Sequence, residues 1–443
     1  MTDLRSGEQP VPAVPIHQTA TLHQGVTRKR RARRAGLRAS CAVLALAGTL
    51  ALAVDPAAAR TLAVTSNADS GDGTLRAAIR TANRDASVDR IAVRTTVRLI
   101  ALDRAVTYTG AQALTLDGGD ATVTESGADD LFVATGGGDL VFQDIRFANA
   151  RRSGIVVNVP AGTEARRQSV TLRAVHLDRN GHYGLHLDDQ AGGDGMGADS
   201  AASLQLSVID SVVSGNNNPD IDMRAADKDG IRVDEGGPGH VAVTILNSTL
   251  DRNAAEGIEI DETGPGDVVV NATSSTFSNN GDQPQAPDDQ EDGLDVDESG
   301  PGDIRLSLID SAINANRDEG LDIDGADAGD IAVTAIHLTT AGNRDDNVKL
   351  SLNSYGAKPG TIRAHFIATT VVESVEGDGL QAETADTAKP AAPGVSEVRI
   401  TDSLVADNAR DDVQIDAADG ALRIQDSKVG ETDLSDGVER ITE

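Results

Sequence analysis

DGIRVDEGGPGH (residues 229–240), EGIEIDETGPGD (256–267), DGLDVDESGPGD (292–303) and EGLDIDGADAGD (319–330) are four copies of one unit. Their opening glycines, Gly230, Gly257, Gly293 and Gly320, are spaced by 27, 36 and 27 residues, and the long interval holds an insertion between Asn280 and Gly293. A repeat of this length is the mark of a solenoid, in which each coil buries its apolar face by stacking on its neighbours. Inside each copy the pattern has period two: Ile231 and Val233, Ile258 and Ile260, Leu294 and Val296, Leu321 and Ile323 alternate with charged residues. Strands send alternate side chains to opposite faces, so the aliphatics point inward and the carboxylates outward. Short strands, Gly and Asn corners and about three strands per coil predict an all-β chain, a right-handed parallel β-helix solenoid.

Two further marker lines keep the beat. An asparagine stands four residues ahead of the glycine where no insertion intervenes (Asn180, Asn253, Asn316), and Asn343 and Asn408 continue the series. Ser211, Ser248, Ser275, Ser311 and Ser403 each precede an asparagine by five residues. Small polar stacks at these positions are expected to satisfy the corner backbone groups from coil to coil.

Around the repeat, four segments are expected: a leader over residues 1–59, an N-terminal cap over 60–95, the β-helix over 96–429 and a polar C-terminal tail over 430–443. The leader has a basic run from Arg28 to Arg38, an apolar stretch from Cys41 to Val54, and Ala57-Ala58-Ala59, the order of a secretory signal with its cleavage site. The expected location is therefore extracellular or at the cell surface, with no transmembrane segment in the mature chain. Cys41, the one cysteine, lies in the leader, so neither a thiol nor a disulfide is expected to stabilise the rest. Of 39 basic and 70 acidic residues the leader removes eight and three, leaving 31 against 67, a balance that excludes nucleic acid as a partner.

The cap begins TLAVTSNADSGDGTLRAAIRTAN (61–83), in which Leu75, Ala78, Ile79 and Ala82 form one helical stripe. This stretch resembles the CSLREA-like segment that opens a group of bacterial surface and secreted β-helix proteins, although the cysteine of that segment is missing here. The resemblance implies a short helix over the open first coil. The repeat region is in turn similar to the pectate-lyase-like superfamily of parallel β-helices.

Stacking the copies brings Asp188, Asp234, Asp261, Asp297 and Asp324 into one line and His186, Arg232, Glu259, Asp295 and Asp322 into another. Like charges at the ~4.8 Å spacing of adjacent strands repel by roughly 1 kcal/mol in water and ~3 kcal/mol at an effective dielectric of 20. A cation between the rows relieves this, and oxygen-only donors at this density suit calcium, with Asp188, Asp234, Glu259, Asp261, Asp295, Asp297, Asp322 and Asp324 as ligands. The alternatives are a solvated acidic face or a catalytic acid cluster. Residues 295–303 and 259–267 also carry oxygen donors at the spacing of a calcium loop. His186 reads as a solvated histidine. Two functions follow: a calcium-stabilised scaffold or adhesin that binds an extracellular polysaccharide or cell-surface component, or a calcium-dependent lyase or hydrolase of acidic polysaccharide. In the second, Arg232, Lys228 or Arg224 would serve as base, while the absence of Trp leaves few platforms for sugar rings.

Overall fold

The computed structural model describes residues 59–162, 167–192, 196–221, 228–284, 290–326, 329–353, 360–384 and 394–443. The leader, apart from Ala59, and Arg224 lie outside these residues. The alternating stretches are strands that pair in parallel, coil on coil. One coil runs Val241–Leu246, Thr249–Asp251 and Ile258–Glu262, and the next starts at Val268. Val241 stacks on Val268, Ile304 and Ile331; Thr249 on Thr276, Ala312 and Thr339; Ile258 on Leu294 and Leu321. The first two ladders belong to a 23-stranded sheet and the third to a separate 12-stranded sheet. The product is a right-handed parallel β-helix with three walls: a long-strand wall, a short-strand wall and a third wall that carries the repeat motif. Ile258, Ile260, Val268, Val270 and Ala272 are fully buried, and every phenylalanine lies in the same core.

Both marker lines sit at corners. The long strands end at Asn247, Ser274, Asp310 and His337, whose φ values of 50 to 53° lie in the left-handed region and turn the chain into the short strands. The serine that follows the first three accepts a hydrogen bond from its counterpart one coil earlier: Ser211 N–H to Ser248 Oγ (3.1 Å), Ser248 to Ser275 (3.2 Å) and Ser275 to Ser311 (3.2 Å). At the next corner Asn280 Oδ1 accepts from Asn253 N–H (3.1 Å) and Nδ2 (3.0 Å), while its own Nδ2 donates to Leu250 O (3.2 Å) and Asn316 Oδ1 (3.1 Å). Asn280 is fully buried, so Asn280→Ala strands these groups away from water. The expected loss is about 2–3 kcal/mol in urea unfolding; a loss below 0.5 kcal/mol, roughly the noise of a surface substitution, would mean that the stack is decorative.

At the N-terminal end the helix Leu75–Ala82 is capped by Thr74, whose side chain accepts from Ala77 N–H. Its buried Leu75, Ala78, Ile79 and Ala82 join the core of the first strands. Arg76 is buried and explains why an arginine interrupts the stripe. It pairs with Asp69 (2.5 Å) and donates to Arg104 O (2.5 Å) and Ala105 O (2.8 Å), tying the helix to the following coil. At the other end the residues from Gly430, expected as a polar tail, add strands instead. Thr432–Leu434 pairs with Val413–Ile415, and Val438–Thr442 pairs with Gly420–Ile424. No helix among the described residues is long and apolar enough to cross a membrane.

Candidate metal centre

The third wall stacks Leu185–Asp189, Ile231–Glu235, Ile258–Glu262, Leu294–Glu298, Leu321–Ala326 and Val348–Asn353. Its register runs His186, Arg232, Glu259, Asp295, Asp322, Lys349 in one row and Asp188, Asp234, Asp261, Asp297, Asp324, Ser351 in the next. All eight expected ligand residues therefore share one wall. A third acidic row runs beside them. Asp229, Glu256, Asp292 and Glu319 immediately precede the four marker glycines, where the chain enters the wall from the asparagine corner. Each is the first letter of its repeat copy, so the recurring acid before the glycine is the sequence signal of this row, which the alternation after the glycine does not contain.

Much of the wall is withdrawn from solvent, with Asp261, Asp295, Asp297 and Asp324 half-buried. Asp188 and Asp229 are fully buried, Asp234 is 3% exposed, and Glu256, Glu259, Asp292, Glu319 and Asp322 are buried as well. His186, expected to be solvated, is buried too, with Nε2 2.6 Å from Asp234 Oδ2. Asp188 accepts from the backbone N–H groups of Gln190 (3.0 Å) and Gly197 (2.6 Å), both from the connection that follows its strand. Tyr183 is also buried, its ring 4.6 Å from the imidazole of His186, and offers no open face to a sugar.

Two cationic side chains bracket the rows. Arg232 donates from Nε to Asp234 (2.6 Å) and from its terminal nitrogens to Glu259 and Asp261, with Asp229 3.6 Å away. Burial alone would lower its pKa, but Glu259, Asp229, Asp234 and Asp261 together raise it. A guanidinium so held cannot act as the base of a lyase. Four coils on, Lys349 reaches Asp322 (2.6 Å), Glu319 (3.3 Å) and Asp324 (3.9 Å). Between them Asp295 and Asp297 meet no cationic side chain within ion-pair distance among the described residues.

Burial first, then neighbouring carboxylates, push the pKa values of Glu256, Asp292 and Asp295 well above the usual range, and Asp229, Glu259 and Asp322 rise for the same reasons against the pull of Arg232 or Lys349. Asp297 is pushed up to about 6 by burial, Asp261 and Asp324. Both oxygens of Asp229, Oε2 of Glu256 and Oδ1 of Asp261, Asp292, Asp322 and Asp324 are buried without a hydrogen-bond donor among the described residues. Other carboxylates are among their nearest neighbours. In three groups, Asp229/Glu256/Glu259, Glu259/Asp261/Asp297 and Asp292/Glu319/Asp322, one oxygen from each residue lies within 4.8 Å of the others. Calcium binds oxygen at roughly 2.3–2.6 Å, so oxygens on opposite sides of an ion stand about 4.6–5.2 Å apart. Acceptors facing acceptors become partners only through a proton or a cation, and this all-oxygen donor set fits a hard cation.

The calcium-loop reading of residues 295–303 does not hold. Asp295 and Asp297 lie on an extended strand, while Asp303 belongs to a corner stack with Asp267 and Asp330, accepting from Asp330 N–H (2.9 Å). Any ion is shared between coils. Glu298 points inward, and its Oε1 accepts from Gly300 (2.8 Å) and Gly302 (3.1 Å), as Glu262 does from Gly264 and Gly266, and Glu235 from Gly237 and Gly239. These turns need glycine, because a Cβ on Gly264 would stand 1.7 Å from Gly237 O. The stacked glutamates are buried, and burial followed by the neighbouring glutamate pushes Glu235 up to about 8. Burial likewise pushes Glu262 up to about 7.

No family model matches the chain. No curated protein matches it either. Among solved structures it is similar to pectate lyase Pel9A, with 15% identity, 76% of this chain and 82% of that one covered, and a TM-score of 0.50. It is similar also to the A-module of Azotobacter vinelandii mannuronan C-5 epimerase AlgE4, with 13% identity, 86% and 97% covered, and a TM-score of 0.51. At these identities the likeness is one of fold: the chain is a parallel β-helix.

Proposed function

We propose that this protein is an exported β-helix scaffold whose third wall binds calcium between coils, and that the ion is part of what holds the wall together. The observation that carries the reading is the set of buried carboxylate oxygens on Asp229, Asp292 and Asp322 that have no hydrogen-bond donor among the described residues and sit in clusters of carboxylates. Asp188 and Asp234 stand at the edge of the centre, already engaged; Glu259, Asp261, Asp295, Asp297, Asp322 and Asp324 are its middle. Calcium suits the site better than magnesium, because carboxylates fixed on a β-ladder supply irregular geometry and leave little room for the waters that magnesium retains.

An acidic polysaccharide is the partner we propose for the outer surface of this wall. The named activities of the two similar enzymes concern pectate and mannuronan, and a wall of carboxylates accepts a polyuronate only when cations lie between them. Isothermal titration of EDTA-stripped protein tests the metal reading. Calcium should bind with a dissociation constant at least tenfold below that of magnesium, and the double variant Asp295→Asn/Asp297→Asn should lose that binding while keeping the strand signal in circular dichroism. Undiminished calcium binding in the double variant would sink the assignment. Retention on immobilised pectate in calcium but not in EDTA tests the partner; retention that ignores EDTA counts against bridging by the ion.

A further inference from the structure

A cavity of 420 Å3 opens on the outer face of the long-strand wall in the last coils, on a different sheet from the acidic rows. Thr334, His365, Arg399 and Arg423 stand in register on successive strands and form one side of it. The adjacent row reads Ala332, Arg363, Glu397, Ala421, so small side chains leave the floor open at both ends. Volumes of this size are typical of small-ligand sites.

The charges here invert those of the acidic wall. Arg305, Arg317, Arg344 and Arg363 each meet a carboxylate, as expected in a chain with a formal charge of −31. Arg399 and Arg423 meet none within ion-pair distance among the described residues, although they are neighbours in the ladder. Two adjacent guanidinium groups on a two-stranded step repel each other, and an oxyanion between them removes the repulsion and accepts from both. His365 is half-buried with Nε2 3.3 Å from Thr401 Oγ1; burial and Arg399 lower its pKa, so the imidazole offers a hydrogen bond and not a third charge.

We propose that this cavity is an oxyanion-binding site in which Arg399 and Arg423 hold a carboxylate or sulfate group. The rest of the lining favours a carboxylate on a hydroxyl-rich carrier, that is, a uronate sugar. Glu397 accepts from, and the Thr334 hydroxyl donates to or accepts from, the hydroxyl groups of such a carrier.

The test uses the intact protein in EDTA, so that calcium on the acidic wall cannot bridge the ligand and failure of that reading leaves this one standing. Digalacturonate, maltose and inorganic sulfate are titrated separately by calorimetry at low salt. Digalacturonate should bind and maltose should not; Arg399→Gln and Arg423→Gln should each weaken binding by about tenfold, the loss of one charge-assisted bidentate contact. Both side chains point outward, so each variant should melt within about 2 °C of the parent. Sulfate binding without digalacturonate upholds the oxyanion site and assigns it to an inorganic ion. Equal binding of maltose, unchanged affinity in the double Arg variant, or no binding of either anion overturns the proposal.

Discussion

In calcium-free buffer Arg232→Ala should destabilise the protein by about 3–5 kcal/mol, the cost of leaving buried charges without their counter-ion. The guanidinium touches Asp234, Glu259 and Asp261 and lies 3.6 Å from Asp229, and its side chain is only 17% exposed. Its removal therefore leaves four carboxylates facing one another in a poorly solvated step of the ladder. Arg305→Ala is the comparison. Arg305 also pairs with two aspartates, Asp267 and Asp303, but its side chain is 49% exposed, and such pairs contribute about 0–1 kcal/mol. Urea unfolding followed by circular dichroism separates the two cases. Calcium adds a second discrimination. If the ion occupies the oxygens that Arg232 vacates, saturating calcium recovers part of the loss in Arg232→Ala and none in Arg305→Ala. A loss under 1 kcal/mol for Arg232→Ala would mean that the carboxylates beside it are neutral and need no cation of any kind.

The wall was legible because coils of equal girth have no choice about register. Once Ile258, Leu294 and Leu321 must each face the core, Glu259, Asp295 and Asp322 fall into line outside. Burial was not legible in the same way. Whether an outward carboxylate reaches water depends on what the connections between strands do, and the contact of Gly197 N–H with Asp188 leaves no periodic trace. Carried one step further, the alternation puts Glu235, Glu262 and Glu298 on the inner face, where a lone glutamate makes sense only because the N–H groups of the glycine turns converge on it. The strands after Asn343 carry weaker copies of the repeat. Arg399 and Arg423 are 24 residues apart in sequence, off the 27-residue interval, and their adjacency came from strand pairing alone. The polar end of the chain misled for a related reason: edge strands at the last coil bury little, so Thr432–Leu434 and Val438–Thr442 carry no apolar alternation strong enough to mark them.

Without calcium, stability should fall as the pH rises from 5 to 8, the reverse of the behaviour of a protein held by salt-bridged carboxylates. The sign follows from linkage. A carboxyl whose pKa is higher in the folded than in the unfolded chain binds its proton more tightly when folded; its contribution is complete below the unfolded value and is lost as the pH passes through the folded one. Here Asp297 is pushed up to about 6, Glu262 to about 7 and Glu235 to about 8, in each case by burial first and neighbouring acids next. Asp229, Glu256, Glu259, Asp292, Asp295 and Asp322 shift in the same direction. These groups share protons along the stack, so their shifts do not add, and the expected loss across the window is on the order of 3–5 kcal/mol, at 1.36 kcal/mol per unit for the few that titrate independently. Asp69 and Asp267, held low by Arg76 and by Asp303 N–H with Arg305 respectively, act in the opposite sense, and only below about pH 4. Calcium competes with protons for the oxygens of the outer acidic rows, though not for those of the inward Glu235 and Glu262, so its stabilisation grows over the interval in which the row protons leave. At a free concentration one hundred times the dissociation constant each occupied site contributes about 2.7 kcal/mol, enough for two sites to flatten the decline. Thermal melts at pH 5, 6, 7 and 8, in EDTA and in millimolar calcium, should therefore diverge as the pH rises and nearly meet at pH 5. Parallel curves, with calcium equally effective at pH 5 and pH 8, would place the ion away from these carboxylates.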